Sequence, residues 1–213
     1  MKIKVCGLKD PENIKAVSAL NPDYMGFICY APSPRYISGL LPGTLETIPP
    51  TVHKTAVFVN ESAETIHNLI NTFGFDAIQL HGNESPEFCA SFRPKVTVFK
   101  ALGIDGDFDF NQLNKYAGKI DFFLFDTKTP IHGGSGKSFD WALLNKYDLN
   151  VPFFLSGGIS IENLENVNNI NHPQFYGIDL NSKFEIAPGL KDIEKLEKAF
   201  EIIKHGIQHE LRS

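Results

Sequence analysis

Eight short runs rich in β-branched and aromatic residues recur along the chain: IKVCG, YMGFICY, KTAVFVN, AIQLHG, VTVFKALG, FFLFD, PFFLSGG and FYGIDLN. Most are apolar on both faces, the pattern of parallel strands covered by helices rather than of a sheet with one wet side. Helical spacing appears between them. ENLENVNNI after Ser160 sets Leu164, Val167 and Ile170 at helical intervals, LKDIEKLEKAFEIIKHG reads as a longer amphipathic helix, and residues 40–50 carry a weaker pattern. An open doubly wound sheet usually has fewer strands in this length and leaves two edges, so eight units favour closure into an α/β fold, a (β/α)8 TIM barrel. At 213 residues, with no linker or low-complexity tract, one barrel domain over residues 1–213 is expected. The tail after Gly206 reads as a frayed end.

Several function classes are disfavoured. A net charge of -5 supplies no basic footprint for nucleic acid. Cys6, Cys29 and Cys89 form no CxxC pair and no metal-type spacing, so neither a disulfide framework nor a structural zinc site is expected, which fits a reducing cytoplasm. The opening MKIKVCGLKD lacks a long apolar core, and no segment reaches roughly 18 uninterrupted apolar residues, so no membrane partner is expected and the chain reads as cytoplasmic. No feature sets an oligomeric state.

In such a barrel the active site forms where strands end at the C-terminal face. The polar residues at those ends are Cys6 after strand one, Arg35 in APSPRYI after two, Asn60 after three, and Gln79 and His81 after four. Asp126 follows strand six, Ser156, Gly157 and Gly158 follow seven, and Asp179 to Ser182, with Asn181, follow eight. Taken singly, a strand cysteine is more often a small core residue, a loop arginine a solvated surface group, and His81 equally a cap of its own loop. Asp126 is harder to set aside, because a carboxylate closing FFLF must pair, cap the next loop or do chemistry. The twin glycines serve either a tight turn or the approach of backbone N–H groups to an anion, and phosphate is the natural guess after strands seven and eight. GGSGKS is not a nucleotide-binding loop, since the position five before Gly136 is Ile131 rather than glycine. A lid ending in a helix start at Lys137 or Ser138 accounts better for its glycines.

With KVCGLKD, SPRYIS, VFVN, QLHGNE, FDTKTPIHGGSGKSFDW, LSGGI and IDLNS in this order, the chain resembles the phosphoribosylanthranilate isomerase family of tryptophan biosynthesis. The likeness touches nearly every strand, and KVCG with DTKTP…GGSGK…FDW is its most specific part. The resemblance implies a (β/α)8 isomerase without cofactor or metal. Its substrate would be a phosphorylated sugar joined to anthranilate, rearranged in an Amadori reaction with Asp126 as general acid and Cys6 as general base. It further implies that Arg35 holds the anthranilate carboxylate, that His81 and Asp179 border the substrate, and that Gly157, Gly158, Asn181 and Ser182 form the phosphate region. One departure is NSKFE after strand eight, where Lys183 replaces the family's usual glycine and supplies charge instead of close backbone approach. The histidine-pathway isomerase of the same fold would carry an aspartate in place of Cys6, and a metal-dependent epimerase would need paired His and Asp ligands. A binding protein without turnover would lack Cys6 or Asp126.

Such acid–base chemistry asks for a raised carboxyl and a thiol lowered from about 8.5. Lys4 and Cys6, two residues apart on one strand, share a face about 6.6 Å apart, so an inward cysteine implies an inward lysine one layer below. Closure pairs strand eight with strand one, which makes Asp179 a partner for Lys4 and dilutes the lysine's pull on the thiol.

Overall fold

The computed structural model describes residues 1–128 and 139–210. Eight parallel strands close into a barrel in sequence order: β1 (Lys2–Cys6), β2 (Tyr24–Ile28), β3 (His53–Phe58), β4 (Ala77–Leu80), β5 (Thr97–Ile104), β6 (Phe122–Thr127), β7 (Phe153–Leu155) and β8 (Phe175–Leu180). The seam aligns Lys4 with Asp179 and Val5 with Leu180. A small antiparallel pair, β9 (Glu185–Ala187) and β10 (Leu190–Lys191), follows the barrel. Among the described residues no helix is long and apolar enough to cross a membrane.

The connecting helices obey their capping residues. Asp10, Ser62 and Ser85 each accept the backbone N–H three residues ahead and start α1 (Pro11–Ala19), α3 (Ala63–Phe73) and α4 (Pro86–Phe92). Asp109 and Asp140 instead accept from only two residues ahead, at Asn111 and Ala142, and the turns they begin, Phe110–Tyr116 and Trp141–Lys146, are 3-10 rather than α-helical. α2 (Pro42–Leu45) and α5 (Leu164–Val167) are single turns, so the helix expected through Ile170 stops early. α6 (Ile193–Glu210) runs past Gly206, where the chain was expected to fray. A helical glycine costs only about 1 kcal/mol, too little to end a helix already propagating. The expected lid and its helix start at Lys137 or Ser138 lie outside the described residues.

Alternation along the strands sorts side chains into two cores. Outward residues such as Val5, Phe27, Phe123, Phe125 and Phe153 pack beneath the helices, while Tyr24, Ala77, Phe99, Ala101, Leu124 and Phe154 fill the barrel interior. Tyr24 meets Phe99 and Phe154 edge-on with centroids 5.2 and 5.5 Å apart, and Phe99 stacks on Phe122 at 4.9 Å. This aromatic floor closes the lower half and leaves the upper half to polar groups. Between β7 and β8 the register shifts: Phe153 faces Phe175, but Phe154 faces Gly177. The extra residue, Tyr176, re-phases β8 so that Asp179 points into the barrel with Phe154 instead of outward.

The loop after β4 is tied down from outside the barrel. Lys100 on β5 is buried and donates to the Leu80 and Gly82 carbonyls at 3.0 and 2.7 Å and to Glu84 Oε2 at 2.9 Å. Glu84 also accepts from the Asn60 and Gly82 amides, and Tyr116 donates to its carbonyl. Removing one member of such a pair strands the other charge, so Lys100→Met is expected to cost about 3–5 kcal/mol, read from the urea unfolding midpoint.

Candidate active site

Alternate positions on β6 descend from Asp126 through Leu124 to Phe122 on the inner face, so the carboxylate that ends this apolar strand stands above the aromatic floor. It opens into a cavity of about 310 Å3 at the C-terminal ends of the strands. Cys6, Arg35, His81, Asp126, Asp179 and Asn181 all line it, together with Gln79, Ser156 and an apolar wall that includes Ile28, Val57 and Val59. Gly157, Gly158 and Ser182 do not line it but flank it: the two glycines continue from Ser156, and Ser182 opens a short 3-10 turn after Asn181. Asn60 is turned to structure, with its Oδ1 accepting the Asn83 amide at 2.6 Å. Among the described residues no group of three or more His, Cys, Asp or Glu could hold a metal ion.

Asp126 is held in a partly dry recess, its side chain 24% exposed. Burial pushes its carboxyl up to about 6; the Thr127 amide, donating to Oδ1 at 2.8 Å, pulls the other way, and the Asp179 carboxylate adds to the rise. His81 Nε2 lies 3.8 Å from the other carboxyl oxygen. Gln79 Nε2 meets His81 Nδ1 at 3.1 Å, and with the amide so turned the neutral ring carries its hydrogen on Nε2, facing Asp126. Gln79 Oε1 is then buried without a hydrogen-bond partner among the described residues. Gly157, at φ +81°, passes so close that a Cβ would lie 2.6 Å from Asp126 Oδ1, which makes glycine obligatory there.

Cys6 sits across the barrel, 3% exposed, opposite Gly26, where a Cβ would lie 2.6 Å from the sulfur. Its thiol is raised, not lowered as the sequence suggested. Burial dominates, Lys4 and Lys191 favour the thiolate, and Asp179 opposes it. The reason is the company Lys4 keeps: its Nζ donates to Asp179 Oδ1 at 2.9 Å, so the sulfur faces an ion pair rather than a bare cation. Burial opposes the Lys4 charge as well, but Asp179 and Cys6 outweigh it and hold the ammonium above the usual lysine range. Ser156 Oγ reaches Asp179 Oδ2 at 3.4 Å and completes the network.

Two residues at the rim went unread in the sequence. Glu185 and Lys191, on β9 and β10, reach back to Arg35 and Asn181: Arg35 Nη2 donates to Glu185 Oε2 at 2.7 Å, and Lys191 Nζ donates to Asn181 Oδ1 at 2.8 Å. They follow the last barrel strand, and the only hint of Glu185 was its place in NSKFE.

Residues 3–202 match the family model described as N-(5'phosphoribosyl)anthranilate (PRA) isomerase. The chain is 45% identical to the N-(5'-phosphoribosyl)anthranilate isomerase of Parabacteroides distasonis over 96% of this chain and 94% of that one. It is 42% identical to the enzyme of the same name from Phocaeicola vulgatus, over 98% and 100%. The fold superposes on the crystal structure of phosphoribosyl anthranilate isomerase from Thermotoga maritima with a TM-score of 0.82 at 32% identity, covering 96% of this chain and 99% of that one. A further phosphoribosyl anthranilate isomerase, solved in complex with reduced 1-(o-carboxyphenylamino)-1-deoxyribulose 5-phosphate, superposes with a TM-score of 0.79 at 28% identity, over 96% and 99% of the two chains. With its eight-stranded barrel and the cavity at its C-terminal rim, the chain belongs to the N-(5'-phosphoribosyl)anthranilate isomerase family.

Proposed function

We propose that the protein converts N-(5-phosphoribosyl)anthranilate into 1-(2-carboxyphenylamino)-1-deoxyribulose 5-phosphate in tryptophan biosynthesis, with Asp126 as general acid and Cys6 as general base. The observation that carries this reading is a carboxyl kept protonated toward neutrality and a buried thiol lining one cavity, in a chain of this family. Asp126 gives its proton to the furanose ring oxygen as the C1–O bond breaks and the anthranilate nitrogen forms C1=N. Cys6 as thiolate takes the hydrogen from C2, and the electron pair moves to give the enolamine. Protonation at C1 and loss of the C2 hydroxyl proton then yield the ketone. Arg35 takes the anthranilate carboxylate in a planar fork, and His81 steadies Asp126. The loops carrying Gly157, Gly158, Asn181 and Ser182 receive the phosphate, while Asp179 borders the substrate and holds Lys4. The buried Gln79 Oε1 is an acceptor suited to a sugar hydroxyl.

Because the acid titrates below the base, the competent pair of carboxylic acid and thiolate is a minority arrangement of the same protons. Its fraction is constant between the two titrations, which makes the expected rate profile a plateau above about pH 6 rather than a narrow peak.

Cys6→Ser and Asp126→Asn are each expected to lower turnover at least ~100-fold. Loss of substrate fluorescence under single-turnover conditions gives the rate, while binding of the reduced product analogue should change only a few-fold; near-normal turnover in either variant removes that residue from its role. Alkylation of Cys6 by iodoacetamide, followed against pH, should reach half its maximal rate above the ~8.5 of a free thiol, and Lys4→Met should move that midpoint higher still. An unchanged midpoint in Lys4→Met would remove the coupling between the two. Asp126→Asn should also stabilise the fold. The folded carboxyl titrates at about 6 against about 3.9 in the unfolded chain, so ionisation favours unfolding as pH rises through that window. The gain should be about 3 kcal/mol at pH 8 and vanish below pH ~4, as read by urea unfolding at both values.

A further inference from the structure

Two cations converge on one carboxylate at the cavity rim. Arg35 Nε donates to Glu185 Oε1 at 2.9 Å and Oε2 at 3.1 Å, and Arg35 Nη2 donates to Oε2 at 2.7 Å. Lys191 Nζ donates to Oε1 at 2.7 Å, and the Gly189 amide to the same oxygen at 3.1 Å. Side-chain exposures are 11% for Arg35, 4% for Glu185 and 0% for Lys191. Lys191 is itself clamped, its amide donating to Asn13 Oδ1 at 2.7 Å and its carbonyl accepting from Asn13 Nδ2 at 2.9 Å. The cluster therefore carries a formal excess of one positive charge in a nearly dry place. An uncompensated buried charge is costly, so an anionic group arriving in the cavity lined by Arg35 is the missing partner.

The geometry of the fork says where that group sits. Glu185 occupies the side of the guanidinium formed by Nε and Nη2. Nη1 and the outer hydrogen of Nη2 remain at the end, the second edge on which a planar carboxylate forms two parallel bonds. Gly7 secures the stem of the arginine: it adopts φ +84°, and a Cβ there would lie 2.7 Å from Arg35 Cδ.

We propose that Glu185, held down by Lys191, is the positioning residue of a carboxylate subsite: it fixes Arg35 by one edge so that the other receives an aryl carboxylate ortho to the reacting nitrogen. This rests on the reaction proposed above and adds to it how the substrate's anthranilate end is selected. Lys183, exposed on the turn before Glu185, takes no part in this cluster.

The test compares equilibrium binding of the reduced product analogue with that of its counterpart lacking the aryl carboxylate. Two variants leave the cluster's net charge unchanged. Glu185→Asp keeps every charge but withdraws the anchor by one methylene, and Glu185→Gln with Lys191→Met removes one anion and one cation together. Wild type should prefer the carboxylated ligand, and the paired substitution should cut that preference roughly tenfold or more, with Glu185→Asp intermediate. KM for the natural substrate should rise further than kcat falls, and making the paired substitution in an Arg35→Ala background should cost no preference beyond that of Arg35→Ala alone. Undiminished preference in both variants, tighter binding of the carboxylated ligand, or losses that add to those of Arg35→Ala would overturn the proposal. Should the paired variant not fold, Glu185→Asp alone decides. Turnover by wild type reports separately on the isomerase reading: absent turnover with intact carboxylate preference sinks that reaction and spares the subsite, and the reverse pattern does the opposite.

Discussion

The barrel closes on an ion pair. Lys4 belongs to the first strand and Asp179 to the last, their charged atoms are 2.9 Å apart, and neither side chain is exposed beyond 4%. Two charges are tolerable there only because each answers the other and Ser156 takes up part of what remains. Much of the rim takes its electrical character from this pair. Asp179 adds to the proton affinity of Asp126 on the far side of the cavity, and Lys4 and Asp179 pull the Cys6 thiol in opposite directions. Because the pair carries no net charge, burial remains the deciding influence on Asp126 and Cys6, and both are pushed toward their protonated forms.

The strands were legible because parallel strands under helices are apolar along their whole length, and a period of two is a local property. Lys4 beside Cys6 and opposite Asp179 followed from that period plus closure, and the structure has both. The direction of the thiol shift did not follow, because it is a balance among burial, two lysines and an aspartate from different parts of the chain. Capping residues told where helices begin but not which kind: Asp109 and Asp140 look like any other cap until the accepted amide is seen to lie two residues on instead of three. Glu185 and Lys191 stayed hidden because no periodicity marks a hairpin of three paired with two residues, and their partners Arg35 and Asn13 are about 150 and 178 positions away in sequence.

The interior of the barrel is divided by depth. Tyr24, Phe99, Phe122 and Phe154 interlock below, where edge-to-face contacts satisfy ring quadrupoles and exclude water. Above them the inward positions on β1, β4, β6 and β8 are ionisable or amide-bearing: Lys4 and Cys6, Gln79, Asp126 and Asp179. Dispersion and burial in the floor offset the strain of a dry polar rim, and the rigid packing beneath holds that rim in register. Among the described residues the cavity lies at the strand ends, above the packed floor.

The single surplus residue in β8 has a further meaning. Below it Phe175 faces the helices, above it Asp179 faces the cavity, and one residue inserted between converts one phase of the pleat into the other. That residue takes up a mismatch of phase. A ladder that kept strict alternation from Phe175, with Tyr176 opposite Phe154, would rotate the aspartate among aliphatic side chains and bring Ile178 against Lys4, leaving a lysine with no counter-charge although no residue had been changed. The reactivity of the mouth is therefore written partly in a count of peptide units, one of which the ladder skips.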